Sequence, residues 1–200
     1  MRAVLFSLTL ASVALPGYAQ YADGAFSVSL NVLKPLYTDF VDQTGNGFRI
    51  QYTRFKNASW GWGLDVSYTT PTGYVPRQTY YYPGGAITTD VYNYMYYLTA
   101  SASVQYFYKP SWRFTPYALL AAGAAYTEYT LFYNVYRESE DKVSPVLRPE
   151  AGLLFRFREY GSLGLKTAVA FEYAWNRNKQ YEVDNFYGAI FQIGIVLFTD

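Results

Sequence analysis

Residues 92–108, YNYMYYLTASASVQYFY, separate into two lists of different character when every second residue is read. Successive side chains of a strand point to opposite faces, so the two lists describe two surfaces. One surface carries Tyr92, Tyr94, Tyr96, Leu98, Ala100, Ala102, Val104, Tyr106 and Tyr108, and the other Asn93, Met95, Tyr97, Thr99, Ser101, Ser103, Gln105 and Phe107. The first is an apolar band with tyrosines at both ends. The ten residue steps from Tyr96 to Tyr106 span roughly 25 Å at ~3.3 Å per residue and a ~40° tilt. That is the height of the lipid-facing belt of a membrane-spanning barrel, and the second surface is what a narrow polar interior accepts.

The same alternation recurs along the chain. Residues 25–33 set Phe26, Val28, Leu30 and Val32 against Ser27, Ser29 and Asn31, and residues 48–55 set Phe48, Ile50 and Tyr52 against Arg49, Gln51 and Thr53. Residues 60–69 oppose Trp60, Trp62, Leu64, Val66 and Tyr68 to Gly61, Gly63, Asp65 and Ser67. Residues 114–133 are apolar on both faces in their middle, and Tyr129, Leu131 and Tyr133 against Glu128 and Thr130 predict that odd positions face lipid there. In residues 146–158, Leu147, Ala151, Leu153 and Phe155 oppose Arg148, Glu150, Gly152 and Arg156. In residues 163–175, Leu165, Val169, Phe171 and Trp175 oppose Lys166, Ala168, Ala170 and Glu172, and residues 186–198 present Tyr187, Phe191, Ile193 and Ile195 outward. Long connections are expected at 34–47, 70–90, 134–145 and 176–185, and short ones at 56–59, 109–113 and 159–162. An even strand count with alternately long and short connections is the rhythm of bacterial outer-membrane barrels. The expected fold is all-β, an eight-stranded antiparallel up-and-down transmembrane β-barrel formed by residues 20–200 as one domain.

A water-soluble barrel also alternates, but its large apolar residues point inward. Here Asp65, Arg148, Glu150, Lys166 and Glu172 share their face with Gly61, Gly63, Gly152, Ala168 and Ala170. A bore ringed by eight strands has room only for side chains to fill it, so the face with the small residues is the inner one. The bulky face then looks outward, which only lipid tolerates.

Residues 1–19 read as a secretory leader. Arg2 precedes an apolar run over residues 3–15, and Gly17 and Ala19 place small residues at −3 and −1 of a cleavage site before Gln20. The run has thirteen residues, short of the ~20 needed to cross a bilayer as a helix. With no cysteine in the chain, neither a disulfide nor a thiolate metal site is expected. Without Arg2 the 16 basic residues become 15, equal to the 15 acidic ones, which argues against a nucleic-acid partner.

The whole pattern resembles the small eight-stranded outer-membrane barrel superfamily that includes the OmpA transmembrane domain, OmpX and OmpW. The resemblance covers roughly residues 20–198, and Thr115-Pro116-Tyr117 followed by small residues is similar to the Pro-Tyr strands of that superfamily. It implies location in the cell outer membrane with lipid and lipopolysaccharide around the barrel. It also implies an aromatic C-terminal residue read by the insertion machinery, whereas Phe198 here precedes Thr199 and Asp200. The outer-membrane barrel enzymes rely on a histidine, and this chain has none, so no general base of that kind is available. A non-enzymatic protein without cofactor or metal is expected, with a structural or surface-interaction role through its external loops. The alternatives are a narrow channel or lateral route for small apolar solutes, OmpW-like, and an accessory subunit of a larger envelope complex.

Three groups of residues stand out as candidate sites. Arg49, Asp65, Glu128, Arg148, Glu150, Arg156, Lys166 and Glu172 form an expected lumen charge network, because buried charges must pair. A register drawn across the short turn places Arg148 near Glu150 and Glu172, and leaves Arg156 to find Asp65 or Glu128. Such a network is either a plug that closes the bore or a gate whose pairs exchange. Tyr74, Tyr80, Tyr81 and Tyr82 mark a candidate external binding loop for a protein or a glycan, since tyrosine offers large contact area with little entropy to lose; packing on the rim is the competing role. Trp60, Trp62, Tyr96, Tyr106 and Trp175 are expected interface anchors. Glu138, Glu140 and Asp141 with Asp39 and Asp42 lack calcium-loop spacing and read as solvated loop charge.

Overall fold

The computed structural model describes residues 22–36, 38, 40–108, 113–134, 136–158, 161–177 and 185–199, with the Tyr82 side chain left out. The leader at residues 1–19 and Asp39 lie outside the described residues. Eight strands follow in chain order: β1 (Gly24–Leu36), β2 (Gln43–Phe55), β3 (Trp60–Tyr82), β4 (Gly85–Phe107), β5 (Phe114–Tyr133), β6 (Tyr136–Arg156), β7 (Leu163–Ala174) and β8 (Phe186–Thr199). Each pairs antiparallel with the next, and β1 pairs with β8 from Gly24↔Thr199 to Leu36↔Tyr187, closing the ring. The short connections and both ends of the barrel chain lie on one side, which in bacterial barrels is the periplasmic side.

The outer wall is the bulky apolar face. Leu30 is 67% exposed and Ile193 51%, whereas Glu172 is 1% exposed inside. That orientation excludes the water-soluble barrel, and the chain crosses the membrane as strands. Inside, the bore is filled in layers. Towards the outer side an apolar cluster of Leu33, Met95, Tyr97, Tyr129, Val146 and Phe186 closes it, with Phe40 and Val41 folded in from the β1–β2 connection. Towards the periplasm a second cluster holds Ala25, Phe107, Tyr117, Leu119, Leu154, Val196 and Phe198. Polar residues occupy the middle: on β1 Ser27, Ser29 and Asn31 lie between Ala25 and Leu33, and on β6 Arg148 and Glu150 lie between Val146 and Leu154. Such close packing needs glycine where strands converge. A Cβ on Gly123 would come within 2.0 Å of the Ala100 carbonyl oxygen.

Four expectations are corrected. Residues 70–90 are not a loop: β3 and β4 run on as a 23-residue pair, and only Pro83 and Gly84 turn the chain. Gly84 has φ 110°, the value a type II turn demands after proline at its second position. Prolines and glycines in 71–85 mimic a loop composition, but outside the membrane a ribbon tolerates them at its edges. Likewise residues 136–145 belong to β6, and the β1–β2 connection is only 37–42. The fourth correction concerns the phase of β5. Its odd positions Thr115, Tyr117, Leu119, Ala121, Ala125, Thr127 and Tyr129 are buried in the bore. Polar Thr130 and Glu128 suggest the opposite phase because the outer end of the strand stands clear of hydrocarbon, where polarity no longer reports the inner face.

An arginine at position 30 should test the orientation. Leu30 lies opposite Phe48 and Ile193 in the middle of the outer band, so Leu30→Arg is expected to cost about 2–4 kcal/mol in urea unfolding from lipid vesicles. An unchanged midpoint would contradict the outward placement.

Candidate functional site

Strands β2, β3, β6 and β7 each bring charged residues to the inner face at nearly one depth. Arg49 Nη1 donates to Glu150 Oε2 at 2.6 Å, and Arg49 Nε lies 3.3 Å from Asp65 Oδ1. Arg148 Nη2 donates to Asp65 Oδ1 at 2.6 Å and Arg148 Nη1 to Glu172 Oε2 at 3.1 Å. Lys166 Nζ lies 3.2 Å from Glu150 Oε1 and donates to Gln51 Oε1 at 2.5 Å. Tyr117 Oη and Gln192 Nε2 complete the shell of Glu150 at 2.7 and 2.9 Å. Three cations thus meet three carboxylates, all buried. The array ties the β2–β3 wall to the β6–β7 wall across the bore, with Tyr117 of β5 and Gln192 of β8 as neutral members.

Arg148 meets Glu172 because the β6–β7 register places them opposite each other. Pairing is recorded on either side at Leu147↔Tyr173 and Glu150↔Ala170, and the ladder lapses between them at Pro149, which has no N–H to give. Arg148 does not pair with Glu150, contrary to the register drawn across the turn. Ring closure carries Arg49 to Glu150 and Asp65 to Arg148 instead. These partners are remote in sequence, and hairpin-by-hairpin register cannot see them.

Two of the eight expected network members stand elsewhere. Glu128 is on the outward side of β5, its side chain 28% exposed, paired to Arg137 Nη2 at 2.9 Å; the inverted phase of β5 carries it out of the bore. Arg156 sits at the periplasmic end of β6, six residues along the strand from Glu150, with its guanidinium 4.0 Å from the Phe198 ring centroid. Sequence reading missed Gln51, Tyr117 and Gln192 as members. Gln51 stands on the inward list of its strand and Gln192 alternates with the outward Phe191 and Ile193, so both were visible there, but Tyr117 was hidden by the wrong phase of β5.

The tyrosine-rich segment lies on the projecting part of the β3–β4 pair. The last partners of these strands in the ring are Gln43↔Thr72 and Val91↔Tyr133, so residues 73–90 form a two-stranded ribbon beyond both neighbours. Tyr81 is 84% exposed, and Tyr80 is also exposed. Tyr74 packs on Tyr92 at 4.9 Å on the outer side, part rim packing and part open surface. Trp60 packs at a tilt against Tyr106 at 5.0 Å near the periplasmic end, with Trp62 exposed beside them. Tyr96 lies beside Tyr94 at 6.3 Å, and Trp175 against Tyr173 at 4.5 Å, towards the other end.

No protein-family model matches the sequence, and a search of the curated proteins finds no match. Solved structures do match in fold. Neisserial surface protein A is similar with a TM-score of 0.59 and 15% identity over 88% of this chain and 97% of its own. Ail, the attachment invasion locus protein of Yersinia pestis, in complex with the heparin analogue sucrose octasulfate, is similar with a TM-score of 0.54 and 16% identity over 89% of this chain and 99% of its own. At such identity the likeness establishes the fold, that of the small eight-stranded outer-membrane β-barrels.

Removing one member of the charge array should be costly because its partners stay buried. Arg148→Met strands Glu172 and leaves Asp65 with Arg49 alone, and is expected to lose about 3–5 kcal/mol in urea unfolding from lipid vesicles. Adding Glu172→Gln to Arg148→Met, which leaves two cations against two carboxylates, should return much of that loss.

Proposed function

We propose that the chain is a non-enzymatic barrel of the outer membrane that presents its β3–β4 ribbon to a protein or glycan outside the cell. Residues 1–19 act as the export leader, and Trp60, Trp62 and Tyr106 hold the periplasmic interface while Tyr96 and Trp175 hold the outer one. Lipid and lipopolysaccharide surround the wall. The observation that carries this reading is the ribbon itself. From Tyr74 to Tyr82 it reaches roughly 25 Å at ~3.3 Å per residue, with exposed tyrosines and unpaired strand edges. A two-stranded ribbon is marginal by itself, and here the barrel anchors it. Its only charged residues over 73–90 are Arg77 and Asp90. Recognition of a polyanion, such as the sugar sulfates in the Ail complex, needs a basic surface; this ribbon suits an uncharged sugar or a protein face.

The lumen supports a plug, not a channel. Its charges are matched three against three and lie between two apolar clusters. A gate would need a wetted path past both, and a structural lock needs neither. Planar bilayers containing the barrel are expected to stay silent; stable openings abolished by Glu172→Gln would instead favour the channel reading.

Val75 lies opposite Val91, so replacing residues 76–90 by Asn-Gly gives a two-residue hairpin at that level. Purified barrel in nanodiscs is expected to bind uncharged glycans on an array, and the shortened chain to lose that binding with its unfolding midpoint unchanged. Binding retained after shortening would refute the ribbon as the contact surface.

A further inference from the structure

Below the ribbon, the outer wall of the barrel carries a lateral hollow of about 400 Å³ lined by Gln43, Thr72, Gly73, Tyr74, Tyr92 and Tyr94. That volume is within the ~300–1,000 Å³ typical of small-molecule sites. Register sets the side chains in two rows: Gln43, Thr72 and Tyr94 oppose one another across β2, β3 and β4, and Tyr74 opposes Tyr92 one step further out. The Tyr74 and Tyr92 rings meet at 4.9 Å with a 46° tilt, and Tyr94 is braced by Phe132 in an edge-on contact at 5.6 Å. Tyr74 is 43% exposed and Tyr92 45%, so the tilted pair leaves ring surface open to the side.

Gln43 reaches this wall because of a bulge. The outward side chains of β2 stand at even positions such as Phe48 and Ile50, and an uninterrupted strand would therefore aim Gln43 into the bore. Pairing shifts between Gln43 and Asn46, with one residue more on β2 than on β3, and such an insertion re-aims the side chains beyond it. Gly45 permits the close approach, since a Cβ there would come within 2.3 Å of the Pro71 nitrogen. Gln43 thus turns outward. Its Oε1 accepts from Thr72 Oγ1 at 3.3 Å, which leaves the donors of its amide nitrogen for a ligand.

The hollow lies beyond the hydrocarbon. With the apolar belt ending at Tyr96, Tyr94 and Tyr92 stand roughly 5 and 10 Å higher at ~3.3 Å per residue and a ~40° tilt. The headgroup layer begins at that belt and is ~5–8 Å thick in an ordinary bilayer, and thicker where the headgroups are sugar rings. A hollow that opens sideways at this height meets lipid headgroups first. Tyrosine offers an apolar ring with a hydroxyl at its tip, which complements a pyranose with its apolar C–H face and hydroxyl rim.

We propose that this hollow holds a sugar ring of an outer-leaflet glycolipid headgroup, with the C–H face on Tyr74 and Tyr92 and the hydroxyls at Gln43 and Thr72. One ring binds weakly by itself; confinement of the lipid to the leaflet supplies an effective concentration that a free glycan lacks. The inference rests on the external side assigned to the ribbon but not on the ribbon's binding surface. Replacing residues 76–90 by Asn-Gly leaves the lining residues in place, so either can fail without the other.

The test titrates digalactosyldiacylglycerol into phosphatidylcholine nanodiscs that contain the purified barrel, with amide NMR shifts as the readout. Shifts that saturate with glycolipid fraction are expected at Thr72, Gly73 and Tyr94, and they should persist in the chain shortened at 76–90. Tyr74→Leu with Tyr92→Leu keeps the surface apolar without its rings and should weaken binding about tenfold. Gln43→Ala should weaken it about fivefold, the loss of one neutral hydrogen bond; heat-dependent gel migration checks that each variant is folded. Tyrosines that merely anchor the barrel would show no dependence on the sugar. The proposal is overturned if no saturable shifts appear, if phosphatidylglycerol produces the same shifts, if the leucine variant binds as well, or if free methyl galactoside binds as tightly as the glycolipid, which would move the ligand from the membrane to the exterior.

Discussion

In hydrocarbon there is no water to satisfy a backbone N–H or C=O, and each one left unpaired costs several kcal/mol. The pairing of β1 with β8 over thirteen residue pairs is therefore the contact on which everything else depends. It removes the last free edge within the membrane and fixes how many strands surround the bore. Once the ring has eight members, its interior is only wide enough for side chains. Glycines at converging strands, alanines on β7 and a solid lumen follow from that width.

The lumen answers a second constraint, which is what to do with polar groups that cannot reach water. Arg49, Arg148 and Lys166 against Asp65, Glu150 and Glu172 balance their charge within a few ångströms. Such an array is a poor source of net stability, since desolvation offsets attraction, yet it is strongly unfavourable to break. It therefore penalises misregistered rings, in which a cation would be buried without its carboxylate. The apolar clusters above and below keep water from competing for these contacts. Polarity and hydrophobicity are thus layered along the axis as well as alternated across the wall.

The two ends of the barrel then diverge in chemistry because neither is constrained by lipid. Outside the membrane β3 and β4 continue past their neighbours as an almost uncharged, tyrosine-bearing ribbon. At the periplasmic rim the connections are short and the aromatic rings of Phe55, Phe107 and Phe198 line the mouth. A single alternating pattern supplies both, with the outer band of Leu30, Leu98, Val169 and Ile193 between them.

The inward and outward faces of seven strands were legible in the sequence, because side-chain direction has a period of two and one face must suit lipid. The short connections were legible too, and so were the inward positions of Arg49, Asp65, Arg148, Glu150, Lys166 and Glu172. β5 was not, since residues 117–126 are apolar or small on both faces and the polar Glu128 lies where the strand has left the membrane. The length of β3, β4 and β6 was masked by loop-like residues that a ribbon in water accepts. Sequence by itself determined that the chain closes as a barrel in lipid with its charges enclosed. Arg148 and Glu172 face each other across one hairpin and were legible as a pair; which carboxylate meets Arg49 and Lys166, and that Arg148 also reaches Asp65, was decided only by tertiary structure, because closure brings β2 and β3 across from β6 and β7, and distances across a bore are not written in the spacing of residues along a strand.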